Sequence, residues 1–159
     1  MSKSLIVYFS RTGEQYGVGN ITEGNTAILA KIIADKVNGD LFEIKVQDDN
    51  YPNTYTPLIQ YAKKEKNENA RPEIAGDIDS IEKYDTVFIG YPNWWGDMPM
   101  PVYTFLDKYD LSDKKVYDFC THEGSGSVKN GFAIYGHIAQ NNKSETDKKV
   151  TEWLKGLGF

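Results

Sequence analysis

Leu5-Ile6-Val7-Tyr8-Phe9-Ser10-Arg11-Thr12-Gly13 and, after an interval, Gly24-Asn25-Thr26 followed by Ile28, Leu29, Ile32, Ile33 and Val37 form the stretch that decides the fold. A short run of β-favouring residues that passes into apolar residues at 3.6-residue spacing is a strand feeding a helix, and the polar residues fall at the junction. The first-turn N–H groups of a helix have no partners within it and carry its partial positive charge. Ser and Thr hydroxyls beside them complete a cradle for an anion such as phosphate.

Working outward, Gly39 is expected to end this helix, and Leu41 to Val46 alternates Phe42, Ile44 and Val46 against Glu43 and Lys45, the pattern of an edge strand. Leu5 to Phe9 and Thr86 to Tyr91 are almost continuously apolar, as central strands covered on both faces are. A helix is expected from Thr56 to Asn67, solvated along its charged run and stopped by Arg71-Pro72, since proline disfavours helical geometry at the residue before it. Asp77 to Tyr84 reads as a short helical turn with Ile78 and Ile81 inward. After the strand that ends at Gly90-Tyr91-Pro92 comes the loop Asn93-Trp94-Trp95-Gly96-Asp97-Met98-Pro99-Met100-Pro101, then Val102, Phe105, Leu106 and Tyr109 at helical spacing. Lys115 to Thr121 is a fourth strand running into His122-Glu123-Gly124-Ser125-Gly126-Ser127. Gly131 to Gly136 reads as a fifth, and a last helix follows Ser144 as N-cap, with Val150, Trp153, Leu154 and Leu157 as its apolar stripe.

A chain of 159 residues is long enough for one domain with a real core. No apolar run approaches the about 18 residues that span a bilayer, and no signal-type segment opens the chain, so a cytoplasmic, non-membrane protein is expected. The single cysteine, Cys120, fits a reducing compartment, and the net charge of −5 argues against nucleic acid as a partner. Eleven tyrosines and three tryptophans exceed what such a core requires, which puts some rings at a surface or ligand site.

Alternating strands and helices imply an α/β, doubly wound, five-stranded parallel sheet with helices on both faces. In the order 2-1-3-4-5 the three unusual loops, after strands one, three and four, are neighbours beyond the carboxyl ends of the strands, where such folds bind ligands. One loop offers hydroxyls and a helix N-terminus, another tryptophan faces, the third glycines that admit a flat ligand. Together they suit a phosphate joined to a planar aromatic ring system. Neighbouring indoles in a turning loop point in different directions, so at least one of Trp94 and Trp95 is expected to face a ligand or partner.

These three loops, with the stretch inserted before Gly24, closely resemble a bacterial branch of the flavodoxins over nearly the whole chain. The resemblance implies a flavodoxin-like fold and a bound FMN. It places Ser10, Arg11, Thr12, Gly13, Asn25 and Thr26 at the phosphate loop, Ser10, Thr12, Asn25 and Thr26 being around the phosphate. It places Pro92, Asn93, Trp94, Trp95 and Gly96 on one side of the isoalloxazine ring and Thr121, His122, Glu123, Gly124, Ser125 and Gly126 on the other. It implies no metal and no catalytic side chain, because the flavin carries the redox chemistry. An electron carrier between redox partner proteins is the first reading. An NAD(P)H-dependent FMN reductase of quinones or flavins is the alternative, disfavoured by small size and the lack of a second dinucleotide fingerprint. A phospho-receiver would want an acidic residue where Ser10 and Pro92 stand. Carboxylates at Asp97 and Glu123, with a stacked tryptophan, are expected to lower the potential of the flavin.

Two departures from the family pattern matter. The insertion leaves open whether Gly13 or Gly24 is the structural glycine. Only Ser127-Val128-Lys129-Asn130 lie between Gly126 and Gly131, where the family has a helix, although a parallel crossover takes about a dozen residues or more. The fourth crossover helix is therefore missing or truncated. Three readings stay open: an extended linker that leaves one sheet face partly uncovered, a differently paired last strand, or residues absent from the sequence as it stands, which is the reading favoured here. Exposure of Asp118 on an uncovered face would support a genuine deletion. Cys120 and His122 suggest a thiolate pair, but we expect them on opposite faces of the strand and read Cys120, like Trp153, as core. His137 has no partner legible in the sequence, and Gly17-Val18-Gly19 reads as a flexible loop.

Overall fold

The computed structural model describes all residues except 1–2, 16–17, 79, 95–96 and 124–130. The opening apolar run forms β1 (Ser4–Tyr8), every residue of it buried. It pairs in parallel with β4 (Asp40–Glu43) on one side and with β7 (Thr86–Pro92) on the other. Beyond β7 come β8 (Lys115–His122) and β9 (Phe132–Tyr135), also parallel, so the sheet order β4-β1-β7-β8-β9 is the expected 2-1-3-4-5. Alternate residues of the sheet go to opposite faces. Leu5, Val7, Val87 and Ile89 pack against α2 (Tyr55–Asn67) and α3 (Met100–Lys108) through Leu58, Val102 and Phe105. Ile6, Phe88 and Phe119 face α1 (Asn25–Val37), α4 (Gly136–Asn141) and α5 (Lys143–Leu157) through Leu29, Ile33, Ala139 and Val150. Trp153 packs on Phe88 and Phe132 as a core-facing ring should.

Several local expectations are corrected. Within the inserted stretch β2 (Gly13–Gln15) pairs antiparallel with β3 (Gly19–Ile21), with Gly13 at φ +84° and Gly19 at φ +69°, while Gly17 of the expected flexible loop lies outside the described residues. Leu41 to Val46 is not one edge strand. The chain leaves the main sheet at Ile44, whose N–H donates to Tyr8 O at 2.7 Å, and β5 (Lys45–Val46) turns to pair antiparallel with β6 (Ile74–Ala75). α1 ends at Asn38, which takes the left-handed conformation expected of Gly39, at φ 53°. Past the end of α2, Asn69 is left-handed at φ 52°, so the chain turns before it reaches Arg71-Pro72. The turn before β7 is a 3₁₀ turn, Ile81–Lys83, with Ile78 and Ile81 half-buried. α4 was not expected at all, and the cap of α5 is Asn142, not Ser144. The Asn142 side chain accepts from Glu145 N–H at 3.1 Å and donates back to the Glu145 carboxylate, a reciprocal cap that Ser144, already inside the helix, cannot make.

The parallel β8–β9 ladder rules out different pairing of the last strand. Among the described residues no helix joins these two strands. On the α2/α3 side of the sheet Val116 is 41% and Tyr135 43% exposed, and Asp118 between Val116 and Cys120 is half-buried. Part of this face is uncovered, but Asp118 is not itself exposed on it, and residues 124–130, on which the extended-linker reading rests, lie outside the described residues. Burial raises the Asp118 carboxyl, while its hydrogen bond with Tyr91 draws it back down.

Candidate functional site

Three hydrogen bonds gather the loops at the carboxyl ends of β1, β7 and β8. Ser10, just past β1, accepts the Ala27 N–H on its Oγ at 3.1 Å and so caps α1 from outside the helix. Thr26, in the first turn of α1, shares a buried hydroxyl–hydroxyl bond of 2.8 Å with Thr121 at the end of β8. The Asn93 N–H, past β7, donates to Thr121 O at 2.9 Å. Every one of these residues except Ala27 belongs to the expected site, and Thr121 is the node.

The loops meet at a cleft of about 480 Å³. Asn25, at the N-terminus of α1, lies on one side of it. Pro92, Asn93 and Trp94 form one wall, and Thr121, His122 and Glu123 another. Trp94 is half-buried, edge-on to Phe9 at 5.3 Å and tilted against Tyr51 at 5.5 Å, so packing fixes the plane of the ring it presents to the cleft. A third wall was not foreseen. Gln15 of the hairpin and Tyr55, Leu58 and Ile59 of α2 also line the cleft. The hairpin holds α2 there: Glu14 N–H donates to Asn53 O at 3.0 Å, and the Glu14 carboxylate accepts the Tyr55 N–H at 2.6 Å, capping α2. The only sequence signal for this wall was the apolar spacing of α2, which reads equally as core. Ala62 of α2 and Gly136, at the start of α4, are further unforeseen lining residues.

Not every expected residue faces the cleft. The Arg11 guanidinium turns away from it, donating from Nη1 to Asp49 Oδ2 at 2.8 Å and lying over the Tyr51 ring, while its buried Nε has no hydrogen-bond partner among the described residues. Thr12 accepts the Gln15 side-chain amide on its carbonyl. Gly13 and Gly24 are both structural, for different reasons. Gly13 adopts a left-handed φ where the hairpin opens. A Cβ on Gly24 would sit 1.9 Å from Ser10 Oγ and 2.7 Å from Arg11 O. Asp97 braces the tryptophan loop by accepting from Met98 N–H at 2.7 Å and the Tyr103 hydroxyl at 2.6 Å. Trp95, Gly96, Gly124, Ser125 and Gly126 lie outside the described residues.

Cys120 and His122, two residues apart on one strand, share a face rather than taking opposite ones. Burial, not orientation, excludes a thiolate: Cys120 is 1% exposed and its thiol is pushed up to about 12. Burial also lowers the His122 imidazole below its ordinary value, with Glu123 opposing, so this ring favours its neutral form. Among the described residues no group of three or more His, Cys, Asp or Glu is placed to hold a metal, and no helix is long and apolar enough to cross a membrane.

Comparison with known proteins bears on this geometry. A family model described as flavodoxin matches residues 3–156. Among solved structures, a flavoprotein from Bacteroides eggerthii superposes with a TM-score of 0.70 at 27% identity, covering 100% of this chain and 99% of its own. A flavoprotein from Bacteroides uniformis does so with 0.70 at 25%, covering 97% and 98%. A Lactobacillus acidophilus flavoprotein in complex with FMN matches at 0.63 and 26%, covering 98% of this chain and 88% of that one. No curated protein matches.

Proposed function

The chain belongs to the flavodoxin family, and from that premise we propose that it binds FMN in the three-walled cleft and carries electrons between redox partner proteins. The observation that carries the reading is the convergence of the α1 N-terminus, the Trp94 loop and the Thr121–Glu123 turn on one cleft, tied by the Ser10, Thr26 and Asn93 bonds.

The residues present fit the cofactor. The first-turn N–H groups of α1 and its partial positive charge suit a phosphate without a basic side chain. That matters because the nearby arginine is engaged by Asp49. Ser10, Thr12, Asn25 and Thr26 would surround the phosphate. Trp94 and Pro92 would bound one face of the ring, and the His122–Glu123 turn the other. The bound flavin would supply one- and two-electron redox chemistry; the protein orients it and sets the charge around it. Support for FMN rather than another phosphorylated ring comes from the family and from the FMN complex of the Lactobacillus acidophilus flavoprotein.

The purified protein should be yellow, or become so on addition of FMN, with a flavin absorption spectrum that changes on binding. A colourless protein that takes up no FMN would overturn the proposal. The carrier role predicts that NAD(P)H alone leaves the bound flavin oxidised over minutes; rapid bleaching would transfer the assignment to an NAD(P)H-dependent reductase.

A further inference from the structure

Glu123 and His137, 14 positions apart, form a hydrogen-bonded pair at the rim of the cleft. The Glu123 carboxylate, its side chain only 14% exposed, lines the cleft and makes two bonds to one residue. Oε1 accepts the backbone N–H of His137 at 2.6 Å, and Oε2 lies 2.7 Å from the imidazole Nδ1. A carboxylate only accepts, so Nδ1 carries the proton of this bond. The imidazole is 48% exposed, so the pair runs from solvent to the cleft. Beside it stand the His122 and Tyr135 rings, in file at 4.8 Å and 5.3 Å from Tyr135 to each histidine. Gly136 allows the close approach: a Cβ there would lie 2.5 Å from Asn25 Nδ2 and 3.1 Å from Glu123 Oε1.

Resting on the FMN reading above, we infer that His137 is a positioning residue that pins the Glu123 carboxylate at the cleft rim and offsets its charge, so that the pair sets the balance between affinity for oxidised and for reduced flavin. Reduction places negative charge in the cleft. A bare carboxylate at its rim opposes that; a carboxylate bonded to His137 opposes it less. His137 therefore acts on the cofactor only through Glu123, and the two residues should push in opposite directions.

The experiment measures dissociation constants of oxidised FMN in air and of dithionite-reduced FMN under anaerobic conditions, for wild type, Glu123→Gln, His137→Ala and the double variant. Both single variants keep a backbone N–H and an oxygen acceptor for the α4 contact, and alanine is a good helix former, so far-UV circular dichroism should be unchanged. Glu123→Gln should shift the oxidised-to-reduced affinity ratio about tenfold towards the reduced form, and His137→Ala should shift it the other way. The double variant should match Glu123→Gln alone. An unchanged ratio in His137→Ala, a shift in the same direction as Glu123→Gln, or additive effects in the double variant would each overturn the inference while leaving FMN binding intact. Wild type that binds no FMN in either state would instead overturn the proposed function itself.

Discussion

Gly24 leaves no room for a side chain, since any Cβ would overlap the Ser10 hydroxyl that caps α1. Gly24→Ala should displace that hydroxyl, costing about 1–3 kcal/mol of stability and at least about tenfold in FMN affinity, read by urea unfolding and by titration. Wild-type affinity in this variant would show that the Ser10 contact does not organise the phosphate loop. Thr121→Val deletes one partner of a buried hydroxyl pair and leaves Thr26 without its bond, a loss of about 1–3 kcal/mol. Asp118 gives a pH test. Burial raises its carboxyl, so the folded chain holds the proton more tightly than the unfolded one, and its contribution to stability falls as pH rises through the range above its unfolded value. Asp118→Asn should therefore raise the urea midpoint at pH 7 and leave it unchanged at pH 3, where both states are protonated. A lower midpoint at pH 7 would mean that the Tyr91–carboxylate bond outweighs desolvation.

At the scale of elements, the inserted hairpin is a brace. Glu14 spans from β2 to the first helical residue of α2, giving that helix the cap its own Thr54 does not make. Glu14→Ala should cost about 0.5–2 kcal/mol by urea unfolding and loosen the α2 wall of the cleft. α4 plays the matching part on the other side. Gln140 donates to Asn25 Oδ1 and to Glu23 O, both at 2.9 Å, and thereby holds the residue that opens α1. Neither brace could be read from local pattern, because hairpin and helix are short and their partners lie dozens of positions away. The long elements were legible: β1, α1, α2, β7, α3 and β8 announce themselves by continuous apolar runs or by helical spacing. Boundaries set by a single polar side chain, such as Asn142 in place of Ser144, were not.

For the whole molecule, the short crossover between β8 and β9 has a cost visible in the sheet. Val116 and Tyr135 stay exposed on the face away from α5. If that face is open to solvent, Val116→Lys should change stability by less than about 0.5 kcal/mol, whereas a loss of several kcal/mol would show that chain packs over it. Burial on the opposite face is complete enough to hold β9 in parallel register through Phe132 and Ile134.

Strand and helix periods, the order of elements and the three loops at the strand ends were all written in the linear pattern, because each depends on residues within a few positions of one another. From these came the doubly wound sheet, the neighbouring loops and the reading of a phosphate joined to a flat ring. The third wall of the cleft, the turning of Arg11 towards Asp49 and the pairing of Glu123 with His137 were decided by folding alone. Each joins residues that are far apart in the chain, and only the packing of α2 and α4 against the ends of the sheet brings them within hydrogen-bond distance.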